Sequence, residues 1–262
     1  MKVVMIDQDG VLLGRNYQAT IKIADFFRNL PADVMIVPNS DTPVARIRYN
    51  FEQIAGIRPE VVIGEKGAVV ALGDRDHFIS AIKGLEEYRQ QLISRFGDRG
   101  CEIVIGDSAT WIRERKKFTP NKRMLIVDSY RQQTVGFYIV ATDNEGVARL
   151  DNEWYEEGSA IVRQLALPQG IEAKDFNAKY GIVIMNAAGI TKTDGYRLLL
   201  QHYPNDQFFM IGDSVIDIIE DAKVIHCAVG NACAEFKQKA AYVAPSQITA
   251  GLKECLQWII AA

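Results

Sequence analysis

Four carboxylates, one hydroxyl and one ammonium stand at positions where they could work together. Asp7 and Asp9 flank Gln8 and precede Gly10, directly after a short apolar run. Ser40 and Asp41 follow a second apolar run. Lys192 opens a helical stretch, and Gly212-Asp213-Ser214 follows a third apolar run, with Asp217 one turn further on. Clustered carboxylates repel one another unless a cation holds them, and hard oxygen ligands suit Mg²⁺ better than zinc. A metal beside an aspartate keeps it ionised and available as a nucleophile. A second aspartate two residues on, with Gly10 letting the backbone turn, can sit beside the first. When protonated, it can hand its proton to a leaving oxygen and later deprotonate water. Lys192, Ser40 and free backbone N–H groups would offset the charge of a transferring phosphoryl group. Phosphoryl transfer through an aspartyl-phosphate uses every part of this set.

Each motif alone has a plainer explanation. Acid and glycine after a strand is common turn chemistry. Ser40 and Asp41 suit a helix cap, and Pro43 suits the first helical position. Lys192 alone reads as a solvated helix residue. Their joint occurrence in order, each beside a predicted strand end or helix start, points to one shared crevice. Open α/β sheets place ligands at the carboxyl ends of their strands.

The elements that must position these residues can be read from periodicity. Val3 to Ile6, Val34 to Val37 and Val61 to Ile63 read as short buried strands. Residues 18–29 read as an amphipathic helix, the stretch after Pro43 as another, and Gly64 to Leu72 as a turn plus a short strand. The middle changes character. A long helix is predicted over 78–96, strands at 101–105, 124–127 and 134–141, a turn at Asp143 to Gly146, a helix over 152–166 and a strand from Gly181 to Met185. Alternation then resumes: helix 192–202, strand Phe208 to Ile211, helix 214–222, strand Val224 to Val229 and helix 248–260. The economical architecture is a doubly wound α/β domain built from residues 1–75 and 188–262. Residues 76–187 form an inserted α+β domain with an antiparallel sheet.

Composition bounds the rest. The chain has 262 residues, 48% of them hydrophobic and 24% charged, which excludes a mainly disordered protein. The net charge of −3 argues against a bulk electrostatic grip on nucleic acid or on an anionic membrane, so neither partner is expected. Cys101, Cys227, Cys233 and Cys255 form no CxxC pair and are expected as free thiols, without a zinc site or disulfide framework. No apolar run approaches the roughly 20 residues that span a bilayer. The apolar start is too short for a signal peptide, and a cytoplasmic setting is the expectation. The oligomeric state is open.

The motif residues resemble motifs one to four of the haloacid dehalogenase superfamily: Asp7-Gln8-Asp9-Gly10, Ser40, Lys192, and Gly212-Asp213-Ser214-Val215-Ile216-Asp217. Ala228-Val229-Gly230-Asn231-Ala232 is similar to the late Gly-Asn-Ala turn of that family. An insert between motifs two and three resembles the group with a large α/β cap there, which includes archaeal phosphoglycolate phosphatases and sucrose-phosphate phosphatases. Gly64-Glu65-Lys66-Gly67 and Ile184-Met185-Asn186 look most like the phosphoglycolate phosphatase branch. The resemblance implies a Rossmann-like core with a cap domain that selects the substrate. It implies Asp7 as nucleophile and Mg²⁺ ligand, and Asp9 as general acid/base with its backbone carbonyl reaching the metal. Ser40 would bind the phosphoryl group, Lys192 would neutralise it and orient Asp7, and Asp213 would complete the metal ligands. Asp217 would support Lys192 or the metal. The substrate-binding set is Gly10, Ser40, Asp41, Lys66, Asn186 and Lys192.

The chain departs from the family pattern at three places. Ile216 stands where capped relatives usually carry Asn, which removes one contact near the metal. Asp41 and Thr42 stand where relatives often show Gly-Arg, and a carboxylate there repels phosphate unless it turns away to cap its helix. Lys66 replaces a usual Asn and would meet an anionic substrate. The basic stretch Arg113 to Lys117, with Lys122 and Arg123, reads as a solvated face. Turned toward the crevice it would hold a carboxylate or a second phosphate. Trp111 and Phe118 read as core of the insert.

The leading expectation is a Mg²⁺-dependent phosphomonoesterase acting on a small phosphorylated acid or sugar phosphate. A phosphomutase with the same nucleophile is the nearest alternative. A non-catalytic phospho-acceptor, like a response-regulator receiver, is the alternative of another class. Receivers lack both the insert and a proton donor two residues after the acceptor.

Overall fold

A computed structural model describes residues 1–14, 17–79 and 82–262. The chain divides into two compact units, Met1–Ile79 with Ile190–Ala262, and Ser80–Gly189.

In the first unit, β1 (Lys2–Ile6) is apolar on both faces, as a strand covered on both sides must be. Val4 and Ile6 enter one core, Val3 and Met5 the other. There follow α1 (Ala24–Arg28), β2 (Val34–Pro38), α2 (Val44–Ala55), β3 (Val61–Gly64), β4 (Val69–Leu72) and β5 (Arg75–Phe78). In the second unit come α3 (Leu85–Gly97), β6 (Glu102–Gly106), α4 (Ser108–Arg113), β7 (Arg123–Asp128), β8 (Val135–Thr142), β9 (Ala148–Arg149), α5 (Asn152–Gln164), β10 (Ile171–Asn177) and β11 (Ile182–Ala187). The chain returns to the first unit with α6 (Lys192–His202), β12 (Gln207–Gly212), β13 (Val224–Ala228), α7 (Ala234–Lys239), β14 (Tyr242–Val243) and α8 (Ile248–Ala261).

Among the described residues, the first unit carries a five-stranded sheet in the order β14-β13-β12-β1-β2, parallel throughout. One face packs on residues of α1, α2, α7 and α8, including Phe27, Phe51, Phe236 and Leu256. The other packs on α6 through Tyr196 and Leu199 and on the antiparallel β3-β4-β5 sheet. Helices on both faces make the core a doubly wound α/β domain.

The second unit holds a sheet in the order β10-β11-β8-β7-β6, with β9 beside β8. The expected antiparallel pairing holds for β10-β11, β11-β8, β8-β7 and β8-β9, and is corrected at β6 and β7, which run parallel and are linked through α4. Trp154 is fully buried at its centre and donates Nε1–H to the Met124 carbonyl at 3.2 Å. Asp151 caps α5 by accepting from the Trp154 N–H at 2.8 Å. Trp111 and Phe118 pack edge to face, 6.2 Å apart, against the Met124–Ile126–Tyr138–Val140 cluster.

Several elements differ from the sequence reading. The helix expected over 18–29 is confined to Ala24–Arg28; Ile21 is exposed, Ile23 and Phe27 are buried in the core, and Phe26 packs against it. The helix expected from 78 begins at Leu85, because Arg75–Phe78 pairs with β4. Residues 80 and 81 of that prediction lie outside the described ones. The same pairing keeps residues 76–79 with the first unit. The helix expected over 214–222 is a single 3₁₀ turn, Val215–Asp217. Ser214 and Asp217 form a capping box at its start, and the chain leaves helical geometry at Ile218, ψ +113°. β10 and α7 were not foreseen. Cys101, Cys227 and Cys255 are buried free thiols, and Cys233 is half-buried and free. Among the described residues no helix is long and apolar enough to cross a membrane.

Candidate active site

Register places the site. Ile6 pairs with Ile211 on one side and with Pro38 on the other, so β1, β2 and β12 end at the same level. The next residues, Asp7, Asn39-Ser40 and Gly212-Asp213, therefore emerge side by side. The Asp7 N–H donates to Ile211 O at 3.0 Å and the Asn39 N–H to Ile6 O at 2.8 Å, which fixes that alignment one residue past the strands.

α6 brings Lys192. Thr191 and Asp194 form a reciprocal capping box at its start, so the helix begins with Lys192 pointing into the site. Two glycines allow its approach. Gly67 has φ +99°, and a Cβ there would lie 2.1 Å from Thr191 O. Gly195 faces Ile63, where a Cβ would fall 2.4 Å from Cγ2. The Lys192 side chain is only 1% exposed, and its Nζ lies 2.6 Å from Asp7 Oδ1 and 2.5 Å from Asp217 Oδ1. The reading of Lys192 alone as a solvated residue is thus overturned. Burial works against its charge, but Asp7 and Asp217 outweigh that and hold the ammonium above its ordinary range.

Asp217 is fully buried. Its Oδ2 accepts from Asp213 N–H, Ser214 N–H and Ser214 Oγ–H, each at 3.0 Å. Both of its oxygens are therefore engaged by protein donors. Carboxylate oxygens of Asp7, Asp213 and Asp217 lie within 4.8 Å of one another. Burial is the largest cause raising the Asp7 carboxyl, opposed by Lys192 and reinforced by Asp217. Burial, then Asp217, pushes Asp213 up to about 6. Acids pressed together and raised in this way fit a divalent cation. Asp7 and Asp213 have oxygen to offer it, and two carboxylates completed by water and substrate oxygens match the habit of Mg²⁺.

Gly10 has φ +90°, and a Cβ there would lie 2.1 Å from Asp213 Oδ2, so the turn after Asp9 closes onto Asp213. Asn231 donates to Gly10 O at 2.9 Å and to Asp213 Oδ2 at 3.3 Å, and accepts from the Ile248 N–H at 2.8 Å. Asp9 stands exposed at the rim. The protein atoms crowded about it, and then the Asp41 carboxylate, push its carboxyl up to about 6.

Ser40 and Asp41 do not cap α2. The N-cap is Pro43, without a side-chain hydrogen bond. Ser40 is fully buried, and its Oγ accepts from the Thr42 N–H at 3.3 Å. The Asp41 charge raises the Asp9 carboxyl. Lys66 lies in the left-handed region, φ +61°, and its N–H donates to Ser40 O at 3.1 Å, which ties the two loops together. Asn186 lies on β11 in the other unit, with its Oδ1 buried and without a hydrogen-bond partner. Ile216 is exposed, 48%, and Asp213 and Asp217 are held by other groups. The sequence reading missed Gln8, Thr42 and Asn50, which form a buried polar cluster beneath Asp9. Polar residues on an otherwise buried strand end and helix face are the signal that could have found them.

A sequence profile of haloacid dehalogenase-like hydrolases matches residues 4–256. A search of curated protein sequences finds no match. The fold is similar to a haloacid dehalogenase-like hydrolase from Bacteroides thetaiotaomicron, with TM-score 0.65, 14% identity, and 98% of this chain and 99% of that one covered. It is similar to a HAD/COF-like hydrolase from Plasmodium vivax, with TM-score 0.63, 16% identity and coverage of 100% and 96%. A second Bacteroides thetaiotaomicron protein, described among the phosphatases of this superfamily, gives TM-score 0.56, 17% identity and coverage of 98% and 94%. At these identities the likeness establishes the fold.

Proposed function

Because the chain belongs to the haloacid dehalogenase-like hydrolases, we propose that it is a Mg²⁺-dependent phosphatase of small phosphorylated metabolites. It works through an aspartyl-phosphate on Asp7. The observation that carries this reading is the buried Asp7–Lys192–Asp217 chain beside Asp213. Lys192 holds Asp7 Oδ1, and the attack is assigned to the other oxygen of Asp7. Asp7 and Asp213 are the residues that would hold Mg²⁺, with Asp217 positioning both Lys192 and the Asp213 backbone. The bound cation would supply positive charge against the acids and the phosphoryl oxygens.

Asp9 serves as general acid and then general base. A carboxyl at about 6 is still largely protonated in mildly acid solution and close enough to neutrality to move a proton both ways. The nearby Asp41 charge favours that protonated form. In the first step the Asp7 oxygen bonds to phosphorus, the ester oxygen leaves and takes the Asp9 proton. In the second, Asp9 takes a proton from water, whose oxygen attacks phosphorus and frees Asp7. Lys66, beside Ser40, is assigned to an anionic group of the substrate.

The test is phosphate release from a panel of phosphorylated acids and sugars, with and without Mg²⁺. Metal-dependent release that Asp7→Asn abolishes is expected. Turnover in Asp7→Asn, or labelled phosphate trapped on another residue, would overturn the assignment.

A further inference from the structure

We propose that Gln8, anchored by Asn50, is a positioning residue that fixes which oxygen of Asp9 presents the transferable proton. The inference rests on the reading of Asp9 as the general acid. Gln8 and Asn50 are 2% and 3% exposed. Gln8 has two side-chain N–H groups and both are used: one donates to Asp9 Oδ2 at 3.3 Å and one to Thr42 Oγ1 at 3.3 Å. Its Oε1 accepts from Asn50 Nδ2 at 3.0 Å. Its backbone carbonyl accepts the Leu12 and Leu13 N–H groups at 3.0 and 2.9 Å, which fixes the main chain from which the side chain springs.

The Asn50 donor and an ionised Asp9 both favour one orientation of this amide. A flip would set Oε1 against the Asp9 carboxyl and Nε2 against the Asn50 NH₂, two repulsions where there are two hydrogen bonds. Asn50 on α2, donating to Gln8 Oε1, favours the orientation in which Gln8 shows Asp9 a donor. A donor on Oδ2 leaves Oδ1 as the oxygen that carries the proton. Thr42 also hydrogen-bonds this carboxyl, and Gln8 adds the donor that separates its two oxygens. Filling the slot requires no amide, since an unbranched apolar side chain has nearly the same volume. The polar pair therefore calls for an explanation beyond packing.

Leaving-group dependence separates positioning from packing. kcat/KM covers steps up to departure of the leaving group. 4-Nitrophenolate leaves without a proton. Phenolate is far more basic, about 10 in its conjugate acid as for tyrosine, and leaves faster when protonated. We expect Gln8→Met to lower kcat/KM about tenfold for phenyl phosphate and less than about twofold for 4-nitrophenyl phosphate, a fraction of what a general acid supplies. Asn50→Leu should show the same pattern more weakly. Gln8→Met/Asn50→Leu removes both buried amides together, so neither is left unpaired, and it should match Gln8→Met instead of adding to it. Equal losses on both substrates, in the single and the double variant, would overturn the proposal. Asp9→Asn is the control and should discriminate between the two esters more strongly. If Asp9→Asn does not discriminate, the assignment of the acid fails. If Asp9→Asn discriminates and the Gln8 variants do not, the positioning role fails alone.

Discussion

Lys192 and Asp217 meet at 2.5 Å, Nζ to Oδ1, with both side chains sealed from solvent. The contact places the only formal negative charge on Asp217 between a cation and three hydrogen-bond donors from residues 213 and 214. The lysine can therefore be drawn toward Asp7 without stranding the carboxylate. Removing Asp217 leaves Lys192 with Asp7 as its remaining buried counter-charge and strands the donors of residues 213 and 214, at a cost of about 1–3 kcal/mol for a buried unsatisfied group. Asp217→Ala should lose stability of that order in urea unfolding. The milder Asp217→Asn should fold and yet lose about a hundredfold in turnover, the scale of a lost electrostatic contact at a reacting centre. Full activity in a folded Asp217→Asn would show that Lys192 is positioned by Asp7 alone.

Asp7→Asn and Asp9→Asn separate the two roles given to neighbouring carboxyls. The first removes the attacking atom and should leave no burst of product in rapid-mixing experiments. The second keeps the nucleophile. With a good leaving group it should still phosphorylate Asp7 and then stall, because no base activates water. Mass spectrometry of the stalled protein should find one added phosphoryl group on the peptide holding residue 7. Complete turnover by Asp9→Asn within twofold of the parent would contradict the acid/base role.

The strand ends bearing Asp7, Ser40 and Asp213 were legible because parallel strands buried on both faces are short, wholly apolar runs that stop abruptly at polar residues. α6 was legible from Tyr196, Leu199 and Leu200 at helical spacing, although its first turn, Lys192 to Gly195, is not apolar. What periodicity could not show was the early end of the turn at Val215–Asp217. The spacing there permits a helix, and Ser214 and Asp217 form the capping box that opens one, but the chain turns extended at Ile218, ψ +113°, after a single turn. β5 carries polar residues on both faces and pairs with β4 at an edge, so no alternation betrayed it. Nor does spacing reveal that Gln8 and Asn50, 42 positions apart, share a hydrogen bond.

Gly67 gives a prediction about distance in the fold instead of chemistry. Its φ of +99° disfavours any side chain, and a Cβ would strike the Thr191 carbonyl at the start of α6. Gly67→Ala should push that helix start outward and carry Lys192 with it. A stability loss of roughly 1–3 kcal/mol follows from the strained backbone alone. Turnover should fall further than stability explains, because the Lys192–Asp7 contact lengthens. A variant destabilised in thermal unfolding but fully active at low temperature would show that α6 does not need this approach.

Metal binding can be followed without activity. A cation that binds the folded state and not the unfolded chain raises stability by about 2.7 kcal/mol at a hundredfold excess over its dissociation constant. Mg²⁺ should therefore raise the melting temperature of the parent, and EDTA should reverse the rise. Asp213→Asn removes one of the two carboxylates with oxygen to offer, so the Mg²⁺-dependent rise should shrink or vanish there. An equal rise in both proteins would place the cation elsewhere.

His226 sets a pH dependence whose sign follows from its partner. Its ring is nearly buried on β13, edge-on to Phe236, and Nε2 accepts the Ile219 N–H at 3.1 Å. Burial first, and the Lys239 charge second, lower its pKa below the ordinary value near 6.5. Protonation would also turn the accepting nitrogen into a donor facing another donor. The unfolded chain thus binds this proton more readily than the folded protein. The contribution of His226 is complete above pH 6.5 or so and is lost as pH falls from there toward the lower folded value. Asp9 and Asp213, both raised in the folded state, act in the opposite direction over nearby pH, so the total slope mixes several groups. Subtraction isolates the histidine. His226→Gln keeps an acceptor for the Ile219 N–H but does not titrate. The stability of the parent minus that of this variant, from urea unfolding at a series of pH values, should be constant above neutrality and fall on acidification. A difference that stays flat, or grows, as pH drops would mean that the buried ring takes up its proton without cost to the fold.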